Sequence, residues 1–340
     1  MPDRPKAVTI RDVAELAGVS VGTASKALNG RGRLRRETRE QVLAAADQLG
    51  FRPNTLARGL LEGRTYTVGL VTDDSFGRFS LPVLLGAESA LDAGRISAFM
   101  CDTRADPARE RHYVEQLVDR RVDGIIVSGR RTEARQPLAG AELRDGIPVV
   151  YAMTRTNDPD DIAVIPDDEQ GGALAARHLY QDGRRRIGHI TGPERFQVSH
   201  DRARGLGSVL RGNGLTLAGS VLRGEWSEEW GREGARILLE SAPDVDAVVC
   251  GSDQIARGVV DTLLARGVRV PQDVAVTGFD NWEPMALGCP TALTTVDMNL
   301  EEIGRKAADE LLALIDGTEK PEPGVRKMPC RLVIRRSTGR

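Results

Sequence analysis

Residues that could carry out acid, base or nucleophilic chemistry lie far apart along this sequence. Paired carboxylates occur at Asp73-Asp74 and Asp167-Asp168, but neighbouring side chains point apart, which is typical of loops and helix starts. No GxGxxG, GxxxxGK or HExxH pattern is present. The histidines are equally dispersed: His112, His178, His189 and His200. The sequence therefore predicts no catalytic centre, no metal site and no cofactor, and it favours a binding protein over an enzyme.

Composition and cysteine usage are typical of a globular protein in a reducing compartment. Hydrophobic residues make up 40% and charged residues 28% of the chain, and no window approaches the 18 uninterrupted apolar residues of a membrane span. Residues 1–11 contain no apolar stretch of the kind found in a secretory signal. The cysteines lie far apart without a CxxC pair: Cys101, Cys250, Cys289 and Cys330. We expect reduced thiols, no membrane association and a cytoplasmic location.

The formal charge of −2 hides an asymmetry between the first 64 residues and the rest. Residues 1–64 hold 12 Lys and Arg against 7 Asp and Glu, a net charge of +5, whereas the remaining residues hold 35 against 42, a net charge of −7. A small basic segment joined to a large acidic body suggests a nucleic-acid-binding module fused to a part that does not touch nucleic acid. A solvated charged face would explain the same numbers, so charge alone leaves both interpretations open.

The first 28 residues have the pattern of two short helices joined by a tight turn. Thr9 followed by Asp12 is a capping box that opens the first helix. The apolar face of this helix consists of Ile10, Val13, Ala14 and Ala17. Gly18-Val19 forms the turn, and Ser20 can cap a second helix over Val21–Leu28.

A third helix is predicted from Glu37 to Leu49, ending at Gly50, which completes a helix-turn-helix pattern. Pro53 suits the first position of a further short helix over Asn54–Leu61. Because eight residues are too few to form a stable helix in water, we expect this segment to order only against a partner.

From Tyr66 onward, short apolar runs alternate with amphipathic stretches. The predicted strands are Val68–Val71, Ile96–Cys101, Gly124–Val127, Ile147–Tyr151, Ile187–Thr191, Ala247–Cys250 and Val274–Thr277. The predicted helices are Leu81–Ala93, Pro107–Arg120, Glu169–Gln181, His200–Gly212, Glu228–Glu240 and Gln254–Arg266. This alternation predicts βαβ units and parallel sheets. Since there are too many units for one sheet, we expect two similar lobes, with ligands at the carboxyl ends of the strands.

Several sequence blocks spread over nearly the whole chain resemble the LacI/GalR family of transcription regulators. The signature block runs from Val8 to Asn29 and reads VTIRDVAELAGVSVGTASKALN. It is followed in family order by Glu37–Ala46 (ETREQVLAAA), Gly50–Asn54 (GFRPN), Val122–Ile126 (VDGII), Gly278–Asp280 (GFD) and Leu293–Val296 (LTTV). A lone helix-turn-helix is a moderate signal, whereas these blocks in this order are a strong one.

The resemblance implies an N-terminal all-α helix-turn-helix headpiece and a hinge helix, joined to an α/β bilobal core like a periplasmic binding protein, with two parallel sheets. The headpiece would span residues 1–50, the hinge or linker 51–64 and the core 65–340. The N-lobe would comprise 65–165 and 294–325, and the C-lobe 166–293 and 326–340. The family works as a dimer. Because no heptad extension follows Arg335, we expect a homodimer rather than a coiled-coil tetramer.

In this family the second helix of the headpiece enters the major groove, which makes Val21, Gly22 and Lys26 the expected base-reading positions. Val21 can touch a thymine methyl group, and Lys26 stands where the family usually has Arg. Polar residues around the helix are better placed as phosphate contacts: Thr9, Ser20, Thr23, Ser25 and Asn29. Capping and packing are the alternative roles for these residues, above all for Ser20.

The segment from Pro53 to Leu60 resembles the hinge helix of the family, which inserts into the minor groove at the operator centre. Leu60 would be the wedge that unstacks a base step, with Asn54 and Arg58 beside it. The alternative is an ordinary linker with one satellite apolar contact.

The resemblance also points to a cleft between the lobes that binds an effector, with contacts from Phe79, Arg202, Trp226, Ser252, Asp280 and Met298. Arg202 and Asp280 can hydrogen-bond hydroxyl groups, and Trp226 offers a flat face to a sugar ring, which suits a neutral polyol. Asp73 and Asp74 near the cleft mouth argue against a multiply charged phosphate. Ser252 and Met298 replace residues that are more polar in relatives, so a more apolar ligand stays open, and packing is the alternative role for each side chain.

We therefore expect a sequence-specific DNA-binding regulator, a repressor of transcription whose affinity for its double-stranded operator is controlled by a small-molecule effector, a sugar, in the cleft. Within this class, a co-repressor ligand or a protein partner is the reverse option. A cytoplasmic sugar-binding protein without operator specificity is the competing class, and an enzyme built on this fold is a third.

Overall fold

The structure is a computed structural model that describes residues 8–28, 33–51, 64–93, 96–138, 146–317 and 321–339. The chain divides into two compact units, Met1–Thr65 and Tyr66–Arg340. Each unit has its own hydrophobic core.

Three helices form the described part of the first unit: α1 (Ile10–Leu16), α2 (Val21–Leu28) and α3 (Arg36–Gln48). The carboxylate of Asp12 accepts hydrogen bonds from the backbone N–H and the hydroxyl of Thr9, both at 2.7 Å, which confirms the predicted capping residues. Helix α2 has its predicted bounds, and α3 begins and ends one residue before the prediction. Gly50 ends α3 with φ +62°, and the N–H of Phe51 donates to the carbonyl of Ala46 at 2.8 Å.

Small side chains dominate the core of the first unit. Its buried residues are Val13, Ala14, Ala17, Ala24, Ala27, Val42, Ala45 and Ala46. Because alanine lets helix backbones approach closely, the three helices pack with little apolar volume between them. The opposite face of α2 stays exposed to solvent.

The second unit alternates strands and helices as the sequence predicts. Its helices are α4 (Ser80–Ala93), α5 (Pro107–Asp119), α6 (Asp168–Gln181), α7 (Gln197–Gly212), α8 (Glu228–Ser241), α9 (Asp253–Ala265), α10 (Glu283–Ala286) and α11 (Leu300–Asp316). Its strands are β1 (Thr67–Thr72), β2 (Ser97–Asp102), β3 (Gly124–Ser128), β4 (Ala134–Arg135), β5 (Val149–Ala152), β6 (Arg155–Thr156), β7 (Ile162–Pro166), β8 (Ile187–Thr191), β9 (Leu222–Arg223), β10 (Ala247–Cys250), β11 (Ala275–Phe279), β12 (Thr294–Asp297), β13 (Gly324–Met328) and β14 (Arg331–Val333).

Two six-stranded sheets organise the second unit into two lobes. The first sheet has the order β13-β7-β5-β3-β1-β2 and is parallel throughout. The second sheet has the order β14-β12-β11-β10-β8-β9 and is parallel except for its edge strand β14, which pairs antiparallel with β12. Central strands such as β3 and β8 are buried along their whole length, as expected where helices cover both faces.

The chain passes from one lobe to the other three times, and the predicted position is wrong for two of these crossings. Strand β12 (294–297) was expected in the first lobe, but it pairs with β11 in the second sheet. Strand β13 (324–328) pairs with β7 in the first sheet, so the chain returns to the second lobe after residue 328 rather than at 326. A short apolar strand buried on both faces looks the same in either sheet, so its sequence does not reveal which sheet it joins.

The three crossings between the lobes lie side by side. The backbone N–H of Asp167 donates to the carbonyl of Met328 at 2.8 Å, and the N–H of Cys330 donates to the side-chain oxygen of Gln170 at 2.9 Å. The first and third crossings are thereby tied together. The second crossing follows β12, and Asn299 starts α11 in the left-handed conformation with φ +59°. These short crossings form the base of the cleft between the lobes.

Paired glycines let helices of the second unit cross at close range. A Cβ on Gly172 of α6 would lie 2.2 Å from the carbonyl oxygen of Arg202 in α7, and a Cβ on Gly205 of α7 would lie 1.9 Å from the carbonyl oxygen of Glu169. The same reciprocal arrangement joins α4 to α11 and α8 to α9, through Gly86 with Gly304 and Gly231 with Gly258. No side chain fits at these contacts, and the α6–α7 contact sets the position of Arg202.

We predict that Gly172→Ala destabilises the second lobe by about 1–3 kcal/mol or more, because the methyl group would overlap the backbone of α7. The measurement is urea denaturation followed by tryptophan fluorescence, since Trp226, Trp230 and Trp282 all belong to this lobe. Gly212→Ala is the control, because nothing lies within 4 Å of its Cβ position, and it should change stability by less than about 1 kcal/mol. Equal stability of the two variants would refute the close-packing account.

Candidate functional site

The exposed face of α2 carries the residues predicted to read DNA bases. Val21, Gly22 and Lys26 are exposed, whereas Ala24 and Ala27 of the same helix are buried. Thr23 and Ser25 are half-buried beside them, and Thr9 is exposed at the start of α1. The three expected base-reading positions are therefore all exposed to solvent. Asn29, Asn54, Arg58 and Leu60, which complete the predicted DNA-contacting set, lie outside the described residues.

Ser20 acts as the cap of α2. Its Oγ accepts from the backbone N–H of Thr23 at 3.1 Å and shares a hydrogen bond with the hydroxyl of Thr23 at 2.9 Å. The segment Gly18 to Gly22 also has the Gly-x-Ser-x-Gly spacing of a hydrolase nucleophile elbow. That elbow joins a strand to a helix, whereas here it joins two helices, and the first 65 residues contain no histidine to activate the serine. Capping is the role that the geometry supports.

A cavity of about 400 Å³ lies between the two lobes of the second unit, at the carboxyl ends of strands from both sheets. All six residues predicted to bind an effector line it: Phe79, Arg202, Trp226, Ser252, Asp280 and Met298. Asp74, which was expected near the cleft mouth, also lines it. The remaining residues of its wall were not predicted to bind the effector: Phe76, Arg78, Arg130, Arg131, Thr132, Met153, Pro166, Asp168, Val198, Gln254 and Trp282. The cavity is thus a polar and aromatic pocket with charged groups of both signs.

Arg202 forms the centre of the cavity floor. It is 6% exposed, and its Nε donates to Asp168 Oδ1 at 2.8 Å. Its Nη1 donates to the carbonyl oxygen of Gly251 at 2.6 Å and lies 3.6 Å from Asp280 Oδ1. The guanidinium also stacks on the Phe279 ring, 3.5 Å from the ring centroid. A buried cation is stable only when paired in this way, so Arg202 is held in one orientation.

Asp168 is a cavity residue that the sequence analysis assigned only to a helix start. Asp167 caps α6 by accepting from the N–H of Gln170 at 3.1 Å, and the next carboxylate points into the cavity instead. There it binds Arg202 and accepts from the Thr132 hydroxyl at 3.4 Å. Burial raises the pKa of Asp168, and the Arg202 guanidinium opposes that rise. Because the side chains of adjacent residues point in different directions, Asp167 caps the helix while Asp168 lines the cavity.

Arg78 connects the lobes across the cavity. This residue follows β1 in the first lobe, and its guanidinium pairs with Asp280 and donates to Gln254 Oε1 at 2.8 Å in the second lobe. Its guanidinium carbon also lies 4.3 Å from the centroid of the Trp282 ring. No sequence pattern identifies Arg78, because nothing in the sequence shows that its loop faces β11.

Asp280 sits in a strained turn at the end of β11. Its φ of +102° lies in the region that non-glycine residues rarely adopt, and its N–H donates to the carbonyl of Val296 at 2.8 Å. The turn directs the carboxylate to Arg78 and Arg202, both from other elements. Burial raises the pKa of Asp280, and the two guanidinium groups oppose the rise.

Ser252 and Asp253 begin α9 beneath the cavity. Ser252 Oγ accepts from the N–H of Ile255 at 3.3 Å, so this residue caps the helix while lining the pocket. Asp253 accepts from the Thr295 hydroxyl at 2.5 Å and from the N–H of Trp282 at 2.7 Å. Burial, followed by the charge of Asp280, raises the pKa of Asp253 to about 7.

The apolar walls come from both lobes. Trp226 lies flat over Gly192, where a Cβ would be only 2.1 Å from the ring. Met298 Sδ accepts from Arg202 Nη2 at 3.6 Å, and the N–H of Phe79 donates to Asp74 at 2.6 Å. These contacts leave flat aromatic and thioether surfaces facing the same space as the charged floor.

His189 and His178 hydrogen-bond neighbouring groups of the second lobe, and the cysteines form no disulfide. Burial lowers the pKa of His189 to about 4, and its Nδ1 bonds the carbonyl of Val249 at 2.8 Å. His178 bonds the Thr338 hydroxyl at 2.7 Å, and the four cysteines are free thiols. Across the described segments, His, Cys, Asp and Glu form no group of three suited to a metal ion. The helices of those segments also lack the length and apolar composition needed to cross a membrane.

Comparison with protein families gives two matches. Residues 9–54 match the model described as bacterial regulatory proteins, lacI family, and residues 176–338 match the periplasmic binding protein-like domain. Among curated proteins, the chain is similar to the HTH-type transcriptional repressor PurR of Aliivibrio fischeri (strain ATCC 700601 / ES114), with 31% identity covering 97% of this chain and 98% of the relative. It is also 30% identical to the ribose operon repressor of Halalkalibacterium halodurans, covering 97% of each.

Solved structures give the same picture. The chain is similar to the Lac repressor dimer bound to operator and the anti-inducer ONPF, with a TM-score of 0.74 and 26% identity over 98% of this chain and 99% of that one. It is also similar to the transcriptional regulator CelR in complex with cellobiose, with a TM-score of 0.66 and 30% identity over 98% of this chain and 100% of that one.

We predict that Asp253 makes the core less stable as the pH rises. Because its pKa is raised from 3.8 to about 7, the folded state holds a proton that the unfolded chain has lost, and this contribution to the free energy of unfolding falls between pH 4 and pH 7. Asp253→Asn removes this titrating group. In urea denaturation, the wild type should therefore lose stability relative to the variant as the pH rises through this range. The exposed Asp244→Asn is the control and should give a constant difference above pH 5, because Arg186 lowers its pKa. A constant difference for Asp253→Asn would contradict the assignment.

Proposed function

The chain belongs to the LacI family of bacterial regulatory proteins, and from this premise we propose that it is a transcriptional repressor whose affinity for operator DNA is set by a small-molecule effector, a sugar or sugar derivative, in the cleft of the core. The single observation that carries the proposal is the cavity between the lobes, which brings the six expected effector residues to one place. The relatives are transcriptional regulators, and we propose no enzymatic activity for this chain. A cytoplasmic location is part of the proposal, because a bacterial repressor acts on DNA in that compartment.

The proposed domains follow the expected organisation with corrected lobes. Residues 1–50 form the DNA-binding headpiece, 51–64 the hinge and 65–340 the core. Val21, Gly22 and Lys26 are the proposed base-reading positions, supported by their exposure on α2. Because Gly22 has no side chain and Lys26 is a point charge without the planar fork of Arg, phosphate contacts should supply most of the affinity.

A homodimer through the first lobe fits the apolar residues on its surface. Strand β2 is the edge of the first sheet, and Phe99 and Met100 on it are 52% and 49% exposed. Leu81 and Leu85 on the adjacent helix α4 are also exposed. An exposed edge strand with large apolar side chains invites pairing with another chain. The Lac repressor, to which this chain is similar, is described as a dimer on its operator.

Effector control would act through the contacts that bridge the lobes. Arg78 bridges to Asp280 and Gln254, and Thr132 bridges to Asp168. A ligand whose hydroxyl groups bind Arg202 and Asp280 would compete with or reinforce these bridges, and would thereby favour one arrangement of the lobes. The change in operator affinity can be no larger than the difference in effector affinity between the two arrangements.

We predict that the full chain selects a preferred site from a random duplex library and binds it with a steep dependence on salt. Lys26→Ala should weaken binding to that site by about 5-fold to 150-fold if Lys26 contacts a base, the equivalent of about 1–3 kcal/mol. Lys327→Ala is the control, because this exposed lysine lies on β13 of the core, and it should leave the affinity unchanged. Failure to enrich any site at low salt would refute the repressor assignment and favour a sugar-binding protein that does not regulate DNA.

A further inference from the structure

Two consecutive arginines follow β3 of the first lobe and form part of the cavity wall. Arg130 and Arg131 lie where this cavity adjoins a second one of about 570 Å³, which is lined mostly by the first lobe and by Phe196 of the second. They face the cavity from the side opposite Arg202 and Trp226, which belong to the second lobe. The cavity therefore has cationic groups on both of its walls.

The carboxylates of the cavity wall already bind other partners. Asp168 and Asp280 bind Arg202 and Arg78, as described above. Asp74 accepts from the backbone N–H groups of Phe79 and Ser80, at 2.6 and 2.9 Å, and so caps the start of α4. None of the three carboxylates makes a hydrogen bond or ion pair with either arginine among the described residues.

Arg130 has one weak acidic partner, since its Nε lies 3.6 Å from Asp73 Oδ2 without a hydrogen bond. Arg131 is half-buried and stacks on the Phe196 ring, 4.2 Å from the centroid. Within the part of the chain that the structure describes, no carboxylate lies within 4.0 Å of its guanidinium. Burial and the neighbouring charge of Arg130 lower the pKa of Arg131, and the carboxylates of Glu133 and Asp73 oppose that shift from beyond ion-pair distance. Because the lowering effects prevail, the site holds a cation in surroundings that disfavour its charge.

Phe196, the ring on which Arg131 stacks, belongs to the second lobe. It precedes α7, a helix of 16 residues whose N-terminus no side chain caps. The positive end of this helix therefore lies beside the Arg131 guanidinium, and Val198 from its first turn also lines the cavity. A negative group bound here would contact both lobes.

We propose that the effector of the cleft carries one anionic group, a carboxylate or a phosphate, that binds Arg131 with Arg130 beside it, while its hydroxyl groups bind Arg202 and Asp280. This inference rests on the proposed function, because it concerns the effector of the same cavity, and it replaces the neutral polyol expected from the sequence. A guanidinium presents a planar fork that matches either anion. The acidic residues Asp73 and Asp74 do not oppose an anionic group here, since Arg130 and the start of α4 face them.

The first test uses simple anions and the full-length chain, so it does not depend on knowing the effector. Thermal unfolding is followed by tryptophan fluorescence in sodium acetate or inorganic phosphate at constant ionic strength. The melting temperature of the wild type should rise with anion concentration in a saturable manner, and Arg131→Gln should abolish that rise. Arg195→Gln is the matched control, because Arg195 stacks on the same Phe196 ring at 4.6 Å but is exposed and paired with Glu225.

The melting temperature of Arg131→Gln without anions tests whether Arg131 serves the fold. Arg131→Gln removes a half-buried charge that lacks a close carboxylate, so its melting temperature without anions should equal or exceed that of the wild type. A melting temperature well below the wild type would mean that Arg131 serves the fold, and this result would overturn the inference.

The second test compares matched sugars by calorimetry: glucose, glucuronate and glucose 6-phosphate, and the galactose counterparts. The acidic members should bind at least tenfold more tightly than the neutral ones, and Arg131→Gln should remove the difference. Preference for the uronates or for the phosphates identifies the anion. A neutral sugar that binds as tightly as its acidic counterparts, or an anion effect that persists in Arg131→Gln, overturns the inference while leaving the repressor proposal intact. Failure of the repressor proposal would appear separately, as the absence of a preferred DNA site.

Discussion

The second unit depends on one buried cation, the guanidinium of Arg202, and on the groups that surround it. Removing such a charge from water costs several kcal/mol, which its partners must offset through good geometry. The partners come from three places in the chain: Asp168 at the start of α6, the carbonyl of Gly251 after β10, and Asp280 after β11. Helix α6 must begin, and strands β10 and β11 must end, at the residues that reach the guanidinium. Pairing of the Arg202 charge therefore constrains how the second lobe is assembled.

Close packing of α6 against α7 also fixes the position of Arg202. The contact of Gly172 with the backbone of Arg202 brings α7 against α6 at a distance that no larger residue permits. The strained turn at Asp280 then aims its carboxylate at the cavity, where Arg78 from the other lobe also binds it. A network that fixes the second lobe is thereby linked to the first lobe across the cleft. This gives a ligand in the cavity a physical route to the arrangement of the lobes, because it must engage groups that already hold the lobes together.

The sequence predicted the local elements and, through the family resemblance, the two-lobed architecture, but not every strand's place in a sheet or every loop that meets across the cleft. The bounds of α2 and β8 match the prediction because caps and uninterrupted apolar runs are local signals. Strand β12 was assigned to the wrong lobe because its buried residues fit either sheet. Among the cavity residues, the family resemblance identified Arg202 and Asp280, but Asp168, Arg78 and Arg131 were missed. Their position in the cavity depends on which loops meet across the cleft, and a single sequence does not contain that information.

If the cleft controls operator binding, a ligand in the cleft and DNA at the headpiece must affect each other's binding. The most direct measurement is the affinity of an effector that stabilises the core, determined by calorimetry on the free protein and on its complex with the selected operator duplex. Thermodynamic linkage requires the two effector affinities to differ by the same factor by which the effector changes operator affinity. We expect that factor to lie between about 5 and 150. Equal effector affinities with and without operator would contradict the account, because the cleft would then bind its ligand without controlling DNA.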